Sequence, residues 1–414
     1  MSLLPTTPIR IAIIGGGAAG FFAAISAAEA NATAAITVFE KSSQFLAKVK
    51  VSGGGRCNVT HACFEPKELI ARYPRGSKAL LGPFYQWQPR DMIEWLQARG
   101  VELKTESDGR MFPVTDSSQT IIDCFLETAR DYNIELRSKT GVESVRITGT
   151  DCFELKLASG KSEFFDRLII ASGGGRAASS HSIATSLGHT IAPLAPSLFT
   201  FHIKDERILE LQGLSVPKVS VFCPEIRLEQ SGPLLITHWG LSGPAILKLS
   251  AWGAREFAQR DYRFELSVNW TVALNLSAAI EFLTETKRKN GAKKVGSLTS
   301  FGIPRRLWER LVQYANIPQN TQYSQLSNTH IRNLAEACVA SRFQVSGKSM
   351  NKEEFVTCGG VNLNEVDFKR MESKRQPKLY FAGEALDIDG VTGGFNFQAA
   401  WTTGRIAGSA AAAH

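Results

Sequence analysis

Short apolar runs, alternating pairs and stripes of helical spacing succeed one another along the chain, and each change of period marks an element. Ile11-Ala12-Ile13-Ile14 runs into Gly15-Gly16-Gly17-Ala18-Ala19-Gly20 and then a small-residue stretch, Phe21 to Ala30. An apolar run of that length bounded by glycines predicts a buried parallel strand, followed here by a tight turn and a helix. A second strand, Ile36-Thr37-Val38-Phe39, ends in Glu40. Helical spacing returns at 68–70 and 91–96, where Gly100 fits a stop just past a helix end. It returns again from Ser117 to Tyr132, with Ile121, Ile122, Phe125 and Leu126 on one face. Alternation at Val142–Val145 and Phe153–Leu157 predicts a small antiparallel sheet. Asp166 to Ala171 then reads as a further buried strand, feeding Ser172-Gly173-Gly174-Gly175.

From about residue 195 the pattern changes. Strand-like pieces occur at 197–203, 218–222, 234–237 and 262–268, and helical ones at 278–289, 304–314 and 331–340. Near the end Leu379-Tyr380-Phe381-Ala382-Gly383-Glu384 reads as a strand and turn, and Thr392 to Trp401 as a loop opening a helix. The fold expected is α/β. A Rossmann-like domain is built from 1–195 and a return segment, 341–414. It is interrupted by a β-rich domain, 196–272, and a small helical domain, 273–340.

The first turn carries chemistry. G-x-G-x-x-G directly after a strand and opening a helix is the dinucleotide fingerprint. Gly15 allows the sharp turn, Gly17 lets the backbone approach a pyrophosphate, and Gly20 lets the helix lie close on the strand. Phosphates then meet free N–H groups at the helix N-terminus, where the macrodipole favours negative charge. Glu40, twenty residues past Gly20, suits a ribose hydroxyl. The turn by itself leaves NAD and FAD open.

Composition narrows the class. The 414 residues suffice for two or three domains, and 43% apolar with 21% charged residues is ordinary for a globular chain. A formal charge of +8, from 47 basic and 39 acidic residues, fits an anionic ligand or partner, or simply a basic surface. Much of the excess lies at Lys287, Arg288, Lys289, Lys293, Lys294, Arg305, Arg306 and Arg310, a phosphate-contacting face or a solvated one. Seven cysteines without metal-type spacing argue against a disulfide framework or a metal site and point to a reducing, cytoplasmic setting. No apolar stretch is long enough to predict a membrane span.

A second glycine cluster, Ser52-Gly53-Gly54-Gly55-Arg56-Cys57-Asn58, suits a loop closing over the cofactor, with its N–H groups forming an anion nest. Arg56 is placed to pair with a phosphate or a substrate carbonyl. The two glycine motifs together resemble the BaiN-like (YhiN-like) family of FAD-binding flavoproteins. Thr237-His238-Trp239-Gly240-Leu241-Ser242-Gly243-Pro244 and the terminal Gly393-Gly394-Phe395-Asn396 extend the resemblance over essentially the whole chain.

The resemblance implies a two-dinucleotide-binding-type fold holding FAD rather than NAD. The residues it implies are Gly15, Gly17, Ala18, Ala19 and Gly20; Glu40 and Lys41; Ser52, Gly53, Gly54, Arg56, Cys57 and Asn58; Ser172 and Gly173; Gly383, Glu384 and Asp389; and Gly393, Gly394, Phe395 and Asn396. Ser172 stands where flavoproteins of this kind carry threonine, keeping the hydroxyl. The last helix would point its N-terminus at the flavin pyrimidine ring, favouring negative charge there. With one fingerprint in the chain, NADH or NADPH would dock only transiently.

Family members reduce electron-poor C=C bonds, and the resemblance therefore implies hydride transfer from flavin N5 to an enone-like system. Its substrate would be a uridine of ribosomal RNA or a small molecule such as an unsaturated oxo-steroid or an amine. Such chemistry needs a carbonyl-polarising donor and a proton source. Arg56, Cys57 and His238 are the candidates, with His61 beside them. Arg110 faces the cleft or solvent. A redox-inactive flavin-binding module is the remaining alternative, and the charge-stabilising Gly393–Asn396 signature argues against it.

Overall fold

The computed structural model describes residues 8–149, 152–175, 179–272, 274–349 and 356–413, with the side chains of 179 and 180 excepted. The chain forms two compact units, Met1–Ala195 with Val356–His414, and Pro196–Phe355.

The first unit is built on a seven-stranded sheet. Across it run Val366–Asp367, Glu372–Ser373, Leu379–Phe381, Arg167–Ile170, Arg10–Ile14, Ala35–Phe39 and Glu135–Arg137. The last five are parallel, with Ile13 in register between Val38 and Ile169. Ile11, Ala12 and Ile13 are completely buried, as expected for a strand covered on both faces. Because the first strand has the second on one side and Arg167–Ile170 on the other, the strand order reverses there. Ligands of doubly wound sheets bind at such a point, beyond the carboxyl ends of the strands. Those ends lead into Gly15, Glu40, Ser172 and Gly383.

The first helix, Ala18–Ala30, is apolar all round and buried from Ala19 to Ala28. Its small residues admit the last helix, Phe395–Ala412, at close range: a Cβ on Gly404 would lie 2.6 Å from the Ala19 carbonyl oxygen, and one on Gly408 would strike that of Ala23. Phe22 fills the remaining side among Trp87, Trp95, Phe125 and Trp401. The helix Ser118–Asp131 buries Ile121, Ile122 and Phe125. A three-stranded antiparallel sheet, Val142–Thr148, Cys152–Leu157 and Ser162–Phe165, matches the alternation in the sequence.

The second unit draws its boundaries differently from the sequence-based expectation. Its seven-stranded sheet and the helices Leu276–Lys289, Arg305–Tyr314 and Asn328–Val339 share one hydrophobic core, in which Leu283, Trp308, Leu311 and Leu334 join Val219, Val221, Leu266 and Val268. Sheet and helices thus fall in one compact unit, 196–355, where the sequence divided them at 272/273. Ser341–Val345, assigned from sequence to the return segment, pairs antiparallel with Phe264–Val268, and the first unit resumes at Val356.

Candidate functional site

The first turn shows what each glycine does. Gly15 has φ +114°, and a Cβ there would sit 2.5 Å from the Ala171 carbonyl oxygen. A Cβ on Gly20 would overlap the Gly15 carbonyl, so the helix rests directly on the turn. Gly17 faces open space and opens the first helix without a side-chain cap, leaving the N–H groups of Ala18, Ala19 and Gly20 at a positive helix end.

Beside it a cleft is lined by Ile14, Gly15, Phe39, Glu40, Lys41, Thr140, Gly141, Val142 and Ser172. Glu40 accepts from the Gly16 N–H at 2.9 Å and the Ser42 N–H at 2.8 Å. Those two bonds set the carboxylate's position and leave each oxygen a lone pair for a further donor. Ser172 Oγ is buried there without a hydrogen-bond partner among the described residues. A buried hydroxyl left unpaired costs free energy until something bonds it, and a ribose or phosphate oxygen does so. The carboxylate, the unpaired hydroxyl and the uncapped helix therefore fit the nucleotide end of FAD.

The second loop breaks the helical stretch Ala47–Gly55. Ser52 is extended (φ −66°, ψ 151°), while Gly53 (φ 57°), Gly54 (φ 70°) and Gly55 (φ 86°) are all left-handed, a run open only to glycine. Gly54 and Gly55 face open space. The loop closes where Ser52 O accepts from Cys57 N–H at 3.0 Å. Asn58 ties it to the C-terminal segment: in the amide orientation that satisfies both neighbours, it donates to Thr60 O (3.0 Å) and accepts from Gly394 N–H (2.9 Å).

Arg56 and Cys57 of this loop are both held by protein contacts. Arg56 donates to Glu106 Oε1 at 2.7 Å, lies 3.9 Å over the Phe112 ring and has Asp116 3.5 Å away. Through Nη1 and the ring contact its guanidinium braces the loop. Arg110 likewise pairs with Glu106 and Asp108, at 2.8 and 2.7 Å. Cys57 is fully buried at a left-handed φ of 62°, and burial pushes its thiol up to about 12. The thiol is therefore neutral and packed beneath the loop, consistent with a filling role.

The return segment completes the site. Gly383 N–H donates to Thr403 Oγ1 at 2.9 Å, and a Cβ on Gly383 would lie 2.7 Å from that of Ala19, so this turn crosses the start of the first helix. Glu384 pairs with Lys48 at 2.7 Å. Gly393 and Gly394 have φ of +131° and +92°, and a Cβ on Gly394 would lie 2.5 Å from Thr60 O. Phe395 stacks on His61 with centroids 4.7 Å apart, and its carbonyl accepts from Tyr73 Oη at 2.6 Å. Asn396 exchanges hydrogen bonds with Gly390 (2.8 and 2.9 Å), and Asp389 is buried against the Arg75 guanidinium. Both shape the loop from within, so their side chains are not presented to a ligand. Segments 15–20, 40–58 and 383–396 thus meet within the first unit.

Arg75, Tyr73 and Thr60 had no signal in the sequence, because each acts through a partner hundreds of residues away, and Thr403 had none because its partner Gly383 meets it only across a turn. His61 donates from Nε2 to Asp108 O (3.1 Å), and burial lowers its pKa, keeping the ring neutral. His238 lies exposed on a turn of the second unit, between strands Leu228–Ile236 and Gly240–Ser242.

In the basic helical segment several of the cations are paired at the surface. Glu285 pairs with Arg288 and Lys289 at 2.7 and 3.1 Å, Glu309 with Arg305 at 2.9 Å, and Glu210 with Arg310 at 3.0 Å. Lys287 reaches Leu326 O at 2.6 Å. No described helix is long and apolar enough to cross a membrane, and the described residues contain no His, Cys, Asp and Glu cluster suited to a metal.

Comparison with known proteins agrees with this architecture. Residues 9–410 match the family model described as the HI0933-like protein Rossmann domain. The chain is 32% identical over 401 residues to the ribosomal RNA dihydrouridine synthase of Escherichia coli K12, covering 94% of this chain and 95% of that one. It is 27% identical over 424 residues to the 3-dehydro-bile acid delta(4,6)-reductase of Clostridium scindens, covering 97% and 99%. Among solved structures, the 3-ketosteroid-delta4-(5alpha)-dehydrogenase of Rhodococcus jostii RHA1 superposes with a TM-score of 0.53 at 16% identity, over 99% of this chain and 98% of that one, a likeness of fold.

Proposed function

The chain belongs to the HI0933-like Rossmann family, and from that premise we propose that this FAD-dependent oxidoreductase reduces the C5=C6 bond of a uridine in ribosomal RNA, with NADH or NADPH as electron donor. The observation that carries the substrate is the near full-length likeness to the E. coli ribosomal RNA dihydrouridine synthase. A flavin held here would supply the hydride for C6 of the uracil, C5 taking a proton.

The chain's own residues bind and orient. Glu40 and Ser172 would hold the ribose end, and the first helix and the Ser52–Gly55 nest the pyrophosphate. The left-handed pair Gly393-Gly394 frees the start of the last helix, whose positive end favours charge on the pyrimidine portion of the flavin. Of the three catalytic candidates, Arg56 is committed to Glu106 and Cys57 is enclosed. We therefore assign the proton to His238, the remaining candidate, which is exposed on its turn.

The test is to map dihydrouridine in ribosomal RNA from cells with and without the gene. One uridine is expected to stay unreduced when the gene is absent, and identical maps would remove the RNA assignment. A second reading, reduction of an unsaturated oxo-steroid, is favoured by the likeness to the C. scindens reductase. Anaerobic reduction of the holoenzyme by each nicotinamide, then reoxidation by RNA or by the steroid, separates the two.

A further inference from the structure

The second unit leaves one tryptophan largely in water. Trp239 is 63% exposed, whereas the other six are buried, half-buried or at most 37% exposed. It is nonetheless held in place. Its N–H donates to Thr237 Oγ1 (3.3 Å), its carbonyl accepts from Ile203 N–H (2.9 Å), and Thr237 N–H closes the turn on Gly240 O (2.8 Å). The indole lies flat on the His202 imidazole, with centroids 5.5 Å apart and planes 17° from parallel.

The surroundings keep this stack open. His202 lies in register between Gly240 on one neighbouring strand and Gly347 on the other, so no cross-strand side chain covers the ring from either flank. Gly240 cannot be replaced cheaply: its φ is +142°, and a Cβ there would strike the Phe201 carbonyl oxygen. Burial lowers the pKa of His202, so the pair is a neutral aromatic stack with one indole face in water.

Charge identifies the partner. Residues 196–355 carry 20 Lys and Arg against 14 Asp and Glu, a net +6 of the whole chain's +8. Lys204 is exposed two residues beyond His202, and His238 precedes the indole on the same turn. A protein-binding aromatic needs apolar surroundings to exclude water, and here the residues beside the indole on its turn and beneath its ring are threonine, glycine and histidine. A rigid flat ring on a cationic unit matches an unpaired nucleobase on a polyanionic strand.

We propose that Trp239, backed by His202, is a stacking platform for an unpaired base of single-stranded RNA. The inference deepens the RNA reading above and rests on it. The probe is labelled oligouridylate, titrated against the full-length holoenzyme by fluorescence anisotropy. Trp239→Ala is expected to weaken binding about ten-fold, and Trp239→Phe to keep most of it. Flavin absorbance per protein, unchanged in both, shows that the fold is intact. The KM for ribosomal RNA should rise in step for Trp239→Ala, with little change in kcat.

If wild type modifies ribosomal RNA and Trp239→Ala binds and reduces it equally well, the platform is refuted and the RNA reading stands. If wild type neither binds oligouridylate nor modifies ribosomal RNA, both fall. Binding of RNA-free ribosomal proteins that Trp239→Ala abolishes, with oligouridylate affinity unaltered, overturns the inference in favour of a protein partner.

Discussion

Replacing Gly394 by alanine tests whether the start of the last helix is built for the flavin. An alanine at φ +92° costs about 1–2 kcal/mol in backbone strain. Its Cβ would lie 2.5 Å from Thr60 O, closer than such atoms approach, so the turn or the Thr60 strand has to yield. Movement there breaks the 2.9 Å bond from Gly394 N–H to Asn58, about 1 kcal/mol more. If the resulting loss of about 2–3 kcal/mol is taken from the cofactor-bound state, FAD affinity falls on the order of 100-fold. Gly188→Ala, outside the proposed cradle, is the control: its φ is also +86° and nothing lies within 4 Å of its Cβ, so only the strain remains. Titrating apoprotein with FAD by flavin fluorescence, alongside thermal unfolding of each apoprotein, separates affinity from stability. Gly394→Ala binding FAD within about three-fold of wild type would refute the argument.

Three further outcomes are expected. Arg75→Met leaves Asp389 buried without its cation and lowers unfolding stability by about 3–5 kcal/mol, while adding Asp389→Asn recovers part of the loss in urea titration. Burial raises the Cys57 thiol from 9.0 to about 12, so the folded state holds that proton more tightly than the unfolded chain does. Its contribution is complete below pH 9 and lost as pH rises towards 12, and Cys57→Ala should flatten the alkaline fall in stability; an unchanged slope counts against it. His238→Gln should slow reduction of the RNA substrate by about 100-fold or more in stopped-flow assays, while flavin reduction by the nicotinamide keeps its rate.

Local pattern was enough for the turns that line the candidate nucleotide cleft. Ile11–Ile14, the glycine turn, Glu40 and the strand into Ser172 are each contiguous, and a buried strand followed by a left-handed glycine leaves the backbone few alternatives. The sheet then brings those turns to one edge, because the strands that lead into them run parallel. The Gly393-Gly394 pair was legible for the same reason, since a non-glycine residue at both positions would strain the chain.

The roles of charged side chains were decided only by tertiary contacts. Arg56 and Asp389 carry the chemistry of ligand-binding groups, and the acids and cation they pair with, Glu106, Asp116 and Arg75, are distant in sequence. The run of lysines and arginines at 287–310 was visible in the sequence, but its pairing with Glu285, Glu309 and Glu210 depended on helix faces and on a loop a hundred residues earlier. Backbone conformation follows from neighbours along the chain, whereas a long flexible side chain finds its partner only after folding has set which acids lie within reach.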